Sequence, residues 1–206
     1  MTLLDEVVAV AVPEVQDVFD HPLLVHIPKA QQPEDLRLQR MVLDAFKPKT
    51  MLEIGVDQGY STISFLTYPS SLQEYTGVDI NAQPFVSKFQ HPLFRFHHQC
   101  MFEFFRQNSQ KFDLVHIDGE HHEVTFVNGY LDALPHLCHE TSVVMIHDIY
   151  ARAPSAEYCT VKGRTGEFAD FFIADEITPE QVGAGVHRQL FNGLEGYFVG
   201  RVKCPI

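Results

Sequence analysis

Positive charge is scarce in this chain. Its 206 residues carry 15 Lys and Arg against 27 Asp and Glu, a formal charge of −12. Nucleic-acid binding needs clustered basic side chains to displace phosphate counterions, so no nucleic-acid partner is expected. Cysteine is sparse as well. Cys100, Cys138, Cys159 and Cys204 are scattered and form no C-x-x-C pair, and a reduced, cytoplasmic setting is the simplest reading. No long apolar run is present. The segment 7–12 is too short to span a bilayer, and Asp5 and Glu6 precede it where a signal peptide would be basic, so no membrane partner is expected. Repeats, low-complexity tracts and linkers are also missing.

What remains is a globular chain with 45% hydrophobic residues, long enough for one domain with a sizeable core. Residues 1–32 read as an N-terminal extension, a candidate wall of the substrate pocket or an oligomer contact, and residues 33–206 as the main domain. Pro33, Glu34 and Asp35 open a helix, since proline and acids both favour a first turn. Leu38, Met41, Val42, Ala45 and Phe46 then mark its buried face. Strands are predicted near 50–56, up to Asp79, and at 94–99, 112–118 and 142–147. Helices are predicted from Tyr60, near 84–89, from Met101 and near 123–137. Further on, 164–173 reads as helix. Two closing strands, 186–191 and 197–202, joined through residues 192–196, are expected to pair antiparallel.

Alternating strands and helices give an α/β fold: a doubly wound, mostly parallel, seven-stranded sheet with an antiparallel last strand and helices on both faces. Ligands of such sheets bind beyond the carboxyl ends of the strands. Three motifs fall there.

The first is Glu53-Ile54-Gly55-Val56-Asp57-Gln58-Gly59-Tyr60-Ser61, a strand, a glycine turn and a helix start. Glycine lets backbone approach a ligand closely, and a helix start offers N–H groups to a carboxylate. Asp79 ends the next strand, 24 residues after Gly55, where a carboxylate would accept from ribose hydroxyls. The turn does not fit G-x-G-x-x-G. The second motif, His116-Ile117-Asp118-Gly119-Glu120-His121-His122, crowds acids and imidazoles at a strand end. The third is His147-Asp148 followed by Ile149-Tyr150.

The first motif resembles the cofactor loop of class I S-adenosylmethionine-dependent methyltransferases. It is closest to the metal-dependent small-molecule and sugar O-methyltransferases, whose loop reads E-I-G-x-x-x-G-Y-S. The second resembles their I-D-G-x-H motif. The resemblance implies S-adenosyl-L-methionine as cofactor, bound by Glu53, Gly55, Asp57, Gln58, Gly59, Tyr60, Ser61, Asp79, Ile80, Cys100, Met101 and Asp118. Near the adenine, only Glu103 keeps the usual pattern. It further implies a divalent metal on Asp118, His147 and Asp148, with Asp118 and His121 catalytic, His121 being the base and His122 its reserve. His147 replaces the usual acid. Imidazole is a poor ligand for Mg²⁺ and a good one for Mn²⁺, Fe²⁺ or Zn²⁺, so either a softer metal or no metal is expected. Glu140-Thr141 also stand where relatives have glycines.

The implied activity is methyl transfer to a hydroxyl of a small metabolite, a sugar or a phenolic natural product, by a monomer or homo-oligomer. A metal-independent enzyme using His121 and a non-catalytic nucleoside-binding protein stay open. Tyr150, Arg152, Tyr158 and Arg164 are candidate substrate contacts, with either arginine suited to an anionic group.

Overall fold

The computed structural model describes residues 1–24, 31–81, 84–119, 123–150, 156–191 and 196–203. Seven strands form one sheet: β1 Thr50–Ile54, β2 Glu74–Asp79, β3 Phe94–His98, β4 Phe112–Ile117, β5 Cys138–Ile146, β6 Phe168–Ile173 and β7 Phe198–Val202, in the order β3-β2-β1-β4-β5-β7-β6. The first five pair in parallel and β7 runs antiparallel to both its neighbours. The main helices are α1 Leu3–Val8, α2 Gln16–Phe19, α3 Pro33–Phe46, α4 Tyr60–Thr67, α5 Pro84–Lys88, α6 Met101–Gln107, α7 Val124–Leu137 and α8 Ala156–Gly163.

Pro33 takes the first turn of α3, and Asp35 accepts from the backbone N–H of Gln32 at 3.0 Å, closing a reciprocal cap. The central strands are apolar on both faces because helices cover both. Leu52, Ile54, Val115, Ile117 and Val144 pack with α7, while Met51, Leu114, Val143 and Met145 pack with α3 on the other side. Two polar residues break the second face, Glu53 and His116, which are register partners in β1 and β4 and both fully buried.

Two expectations are corrected. Residues 168–173, read as helix, are β6. Phe168, Phe171 and Phe172 repeat at helical spacing, but the ladder with β7 decides the outcome. Residues 186–191, read as a strand, are helical, with His187–Phe191 in a π turn that buries Leu190 and Phe191. The antiparallel partners of β7 are therefore β5 and β6. The predicted connection at 192–195 lies outside the described residues. β5 also begins at Cys138, which pairs with Phe112, earlier than expected.

Candidate active site

The parallel strands β1, β2, β4 and β5 end together, and their following residues enclose two adjoining hollows that share Gly55 as a wall. The first, about 220 Å³ in volume, is mostly apolar. Gly55, Asp79, Ile80, Cys100 and Met101 line it, and Phe126 from α7 joins them. Ile80 stands at its rim, 65% exposed. The second, about 260 Å³, is polar, and Asp57, Gln58, Gly59, Tyr60, Ser61, Asp118, His147 and Asp148 all reach it. Gln31, from the N-terminal extension, completes its lining.

Gly55 and Gly59 are required where they stand. Both have positive φ, +87° and +86°, which L side chains rarely adopt. A Cβ on Gly55 would lie 2.1 Å from the carbonyl oxygen of Asp118, and one on Gly59 would lie 2.4 Å from the Phe85 ring. The turn between them is fastened by Asp79. Its Oδ2 accepts from the N–H of Val56 and of Asp57, each at 2.9 Å, and its Oδ1 from Asn81 N at 2.7 Å. A carboxylate offers about four acceptor positions, so about one is left for a ligand hydroxyl. Asp57 adopts φ 39°. Burial, and then the nearby charges of Asp79 and Asp118, push its carboxyl above the ordinary range, although a backbone hydrogen bond opposes them. The turn thus carries an acidic rim. Gln58 Oε1 is buried with no donor among the described residues, an orphaned acceptor at the same place.

Glu53 lies beneath this turn and lines neither hollow. It accepts from the hydroxyls of Ser61, Thr62 (2.5 Å) and Tyr75 (2.6 Å), and His116 Nδ1 stands 3.5 Å away. Burial, followed by the Glu53 charge, holds the Tyr75 hydroxyl well above its ordinary pKa, so Tyr75 stays a donor. The expected ligand contact is thereby replaced by support of the first turn of α4, because the side chains at Ile54 and Glu53 point to opposite faces of β1.

On the opposite wall Asp118 Oδ1 is 3.0 Å from His147 Nδ1, and Oδ2 accepts from Gln31 Nε2 at 2.9 Å. Burial works to raise the Asp118 carboxyl, but the His147 charge and hydrogen bond, with smaller help from His116 and Gln31, bring it below the usual range. Around His147, Asp148 Oδ1 lies 3.5 Å from Nδ1 and Asp35 Oδ2 lies 3.8 Å from Nε2. At that distance Asp35 acts as a charge and not as a hydrogen-bond acceptor. Desolvation works against the imidazolium, yet Asp118, Asp35 and Asp148 together raise it well above its ordinary pKa. Asp148 sits at φ 60° and accepts from the Tyr150 hydroxyl at 2.7 Å. One ligand atom from each of Asp118, His147 and Asp148 falls within a mutual spread of 4.8 Å, so the three fit a single cation.

Several expected contacts lie elsewhere. Glu103 is exposed. Tyr158 donates to Glu176, and Arg164 forks onto Glu167 and pairs with Asp132, so neither faces the hollows. Strong carboxylate partners on α7 and beside β6 hold Arg164 on the surface. His121, His122, Arg152 and Cys204 lie outside the described residues. Sequence reasoning missed Gln31, Asp35, Gln39, His116, Phe126 and Tyr197. Asp35 and Gln39 do sit four apart on α3, and both are fully buried.

A family profile described as "Methyltransferase domain" matches residues 52–149, from β1 through the His147-Asp148 motif. Comparison with curated proteins finds no match. Among solved structures, the O-methyltransferase from Bacillus cereus, in complex with SAH, is similar at TM-score 0.67 and 14% identity, covering 98% of both chains. The O-methyltransferase TomG from Streptomyces achromogenes, in complex with SAM, is similar at TM-score 0.63 and 14% identity, covering 98% of this chain and 92% of that one. The Podospora anserina methyltransferase PaMTH1, SAH-bound, is similar at TM-score 0.60 and 13% identity, covering 98% and 90%. The chain therefore has the Rossmann-like fold of the S-adenosylmethionine-dependent methyltransferases, and its residues 52–149 are similar to the methyltransferase-domain family. Within that class its architecture is like that of the O-methyltransferases.

Among the described residues, no helix is long and apolar enough to cross a membrane.

Proposed function

We propose that the chain transfers a methyl group from S-adenosylmethionine to a hydroxyl of a small metabolite, a sugar or a phenolic compound. The observation that carries this reading is the pair of hollows meeting at Gly55. The apolar one suits an adenine between Ile80, Met101 and Phe126, with Asp79 taking one ribose hydroxyl through its remaining lone pair. The polar one suits the methionine end. There the N–H groups at the start of α4 face its carboxylate, Gln58 Oε1 offers an acceptor to its ammonium, and the acidic rim of Asp57, Asp79 and Asp118 favours its sulfonium.

The sulfonium supplies an activated methyl group when the cofactor is bound, so the protein's work is positioning and water exclusion. The acceptor hydroxyl must lose its proton around transfer. Asp118, His147 and Asp148 would hold a divalent cation of the softer kind, which would lower the pKa of a bound hydroxyl. His121 follows Asp118 by three residues and is the proposed proton acceptor at neutral pH. The extension, through Gln31, forms one wall of the acceptor pocket, and the protein acts in the cytoplasm.

A second reading is favoured by the 3.0 Å pair of His147 with Asp118. An imidazole serves a metal only when neutral, and here three carboxylates favour its charged form. In that reading the imidazolium, paired with Asp118, takes the place of the cation and transfer proceeds without a metal.

One set of assays separates these. Titration with S-adenosylhomocysteine tests the cofactor site, and methyl transfer to a panel of catechols, phenols and sugars tests the activity. Turnover abolished by EDTA and restored by Mn²⁺ supports the metal-assisted reading, whereas turnover indifferent to chelation supports the second. Cofactor binding without transfer to any acceptor class would leave a nucleoside-binding protein.

A further inference from the structure

We propose that Gln39 is a positioning residue whose single side-chain amide feeds two buried hydrogen-bond chains, one to Asp118 in the polar hollow and one to His116, whose ring is thereby held against Glu53 beneath the glycine turn. Gln39 lies on α3 and is fully buried, as are Tyr197 and His116. Its Nε2 donates to Gln31 Oε1 at 3.3 Å and to the Tyr197 hydroxyl at 2.9 Å. Beyond Gln31 the chain continues from Nε2 to Asp118 Oδ2 at 2.9 Å. Beyond Tyr197 it runs from the hydroxyl to His116 Nε2 at 3.2 Å, where the hydrogen bonds end, and His116 Nδ1 stands 3.5 Å from Glu53 as a close polar approach without a hydrogen bond.

The direction of these bonds follows from their ends. A carboxylate only accepts, so Asp118 requires the NH₂ end of Gln31, which turns Gln31 Oε1 towards Gln39. Gln39 must then present its own NH₂. A flipped Gln39 would set its oxygen against Gln31 Oε1, and a flip of both would aim an amide oxygen at the Asp118 carboxylate. Gln39 Oε1 meanwhile finds no donor among the described residues. A buried acceptor left bare costs free energy, and tolerating it fits an orientation dictated by the two donor chains. On the second chain, Tyr197, having accepted from Gln39, has its own proton for His116 Nε2, which leaves the Nδ1 side of His116 facing Glu53. Glu53 in turn holds Ser61 and Thr62 at the first turn of α4. One amide thus sets both the acid of the acid–imidazole cluster and the support of the cofactor turn. The reading above supplies only the identity of the ligands for this inference.

The test compares Gln39→Met, Gln31→Met and Tyr197→Phe with wild type. Affinities for S-adenosylhomocysteine and for Mn²⁺ are read by calorimetry, Tm by circular dichroism, and exchange of the Gln31 side-chain amide protons by NMR. Loss of one net hydrogen bond corresponds to roughly a three- to tenfold weakening. Tyr197→Phe should weaken S-adenosylhomocysteine by that factor and leave Mn²⁺ unchanged, Gln31→Met the reverse, and Gln39→Met should weaken both. Gln31 amide exchange should be slow in wild type and Tyr197→Phe and fast in Gln39→Met. Equal losses in all three variants that merely track Tm would overturn the inference, as would unchanged Gln31 protection in Gln39→Met. If wild type binds neither probe, the methyltransferase reading fails, and the exchange pattern alone still decides the inference.

Discussion

Replacing Gly55 by alanine tests the shared wall most directly. The residue holds φ +87°, and the added methyl would lie 2.1 Å from the carbonyl oxygen and 2.5 Å from the carbonyl carbon of Asp118. Both obstacles are backbone, so no side-chain rotation relieves them. Left-handed geometry costs a non-glycine residue about 1–2 kcal/mol. Overpacking against an unyielding neighbour adds about 1–3 kcal/mol. The sum, about 2–5 kcal/mol, corresponds to a fall in Tm of roughly 4–20 °C in a chain of this size. Thermal unfolding by circular dichroism measures it, with Gly163→Ala as control, since nothing lies within 4 Å of a Cβ there. Affinity for S-adenosylhomocysteine should fall as well, because Asp118 must move. A Gly55→Ala protein that melts within about 2 °C of wild type and binds the nucleoside normally would refute the close approach of the two strand ends.

Asp79→Ala should weaken S-adenosylhomocysteine binding by more than a single hydroxyl contact would, since Val56 and Asp57 lose their acceptor along with the ligand. His121→Ala should leave that binding nearly intact and lower turnover, and equal loss of binding in both variants would undo the division of roles. Strong acid should loosen the N-terminal segment. Asp17 forks with Arg40 at 2.7 and 2.6 Å, and the Arg40 hydrogen bond, opposed by burial, holds its carboxyl below the usual range. A depressed carboxyl contributes stability above its unfolded pKa, near 3.8, and loses it as pH falls through the lower folded value. Arg40→Leu should therefore flatten the stability profile in that acid window, as read by urea midpoints against pH. An unchanged acid limb would show the pair to be energetically silent.

The glycine turn, the order of strands 1 to 5 and the strand-end placement of Asp79, Asp118 and His147-Asp148 were legible in the sequence. Each is local: a run of apolar residues stops at a glycine or an acid, and topology does the rest. The closing part was less legible. Phe168, Phe171 and Phe172 satisfy a helical period and a β edge equally well, and only the partner strand, 30 residues further on, selects between them. The Gln39 chain was invisible for the same reason. Its links join residues 158 and 87 apart, Gln39 to Tyr197 and Gln31 to Asp118. A glutamine on a helix carries no mark of whether it will face water or a distant tyrosine. Glu53 misled in a different way, since its place in a familiar motif suggested ligand contact while strand alternation turned it inward.

The position of β7 between β5 and β6 has a consequence for how the polypeptide is made. Residues 168–173 leave the ribosome before residues 198–202, yet among the described strands they bond only to those later residues. Until the later strand arrives, a phenylalanine-rich segment has an unfilled edge, the kind of nascent surface that invites self-association or chaperone capture. Slowing translation between these two segments should therefore cost soluble yield more than slowing it within the first five strands.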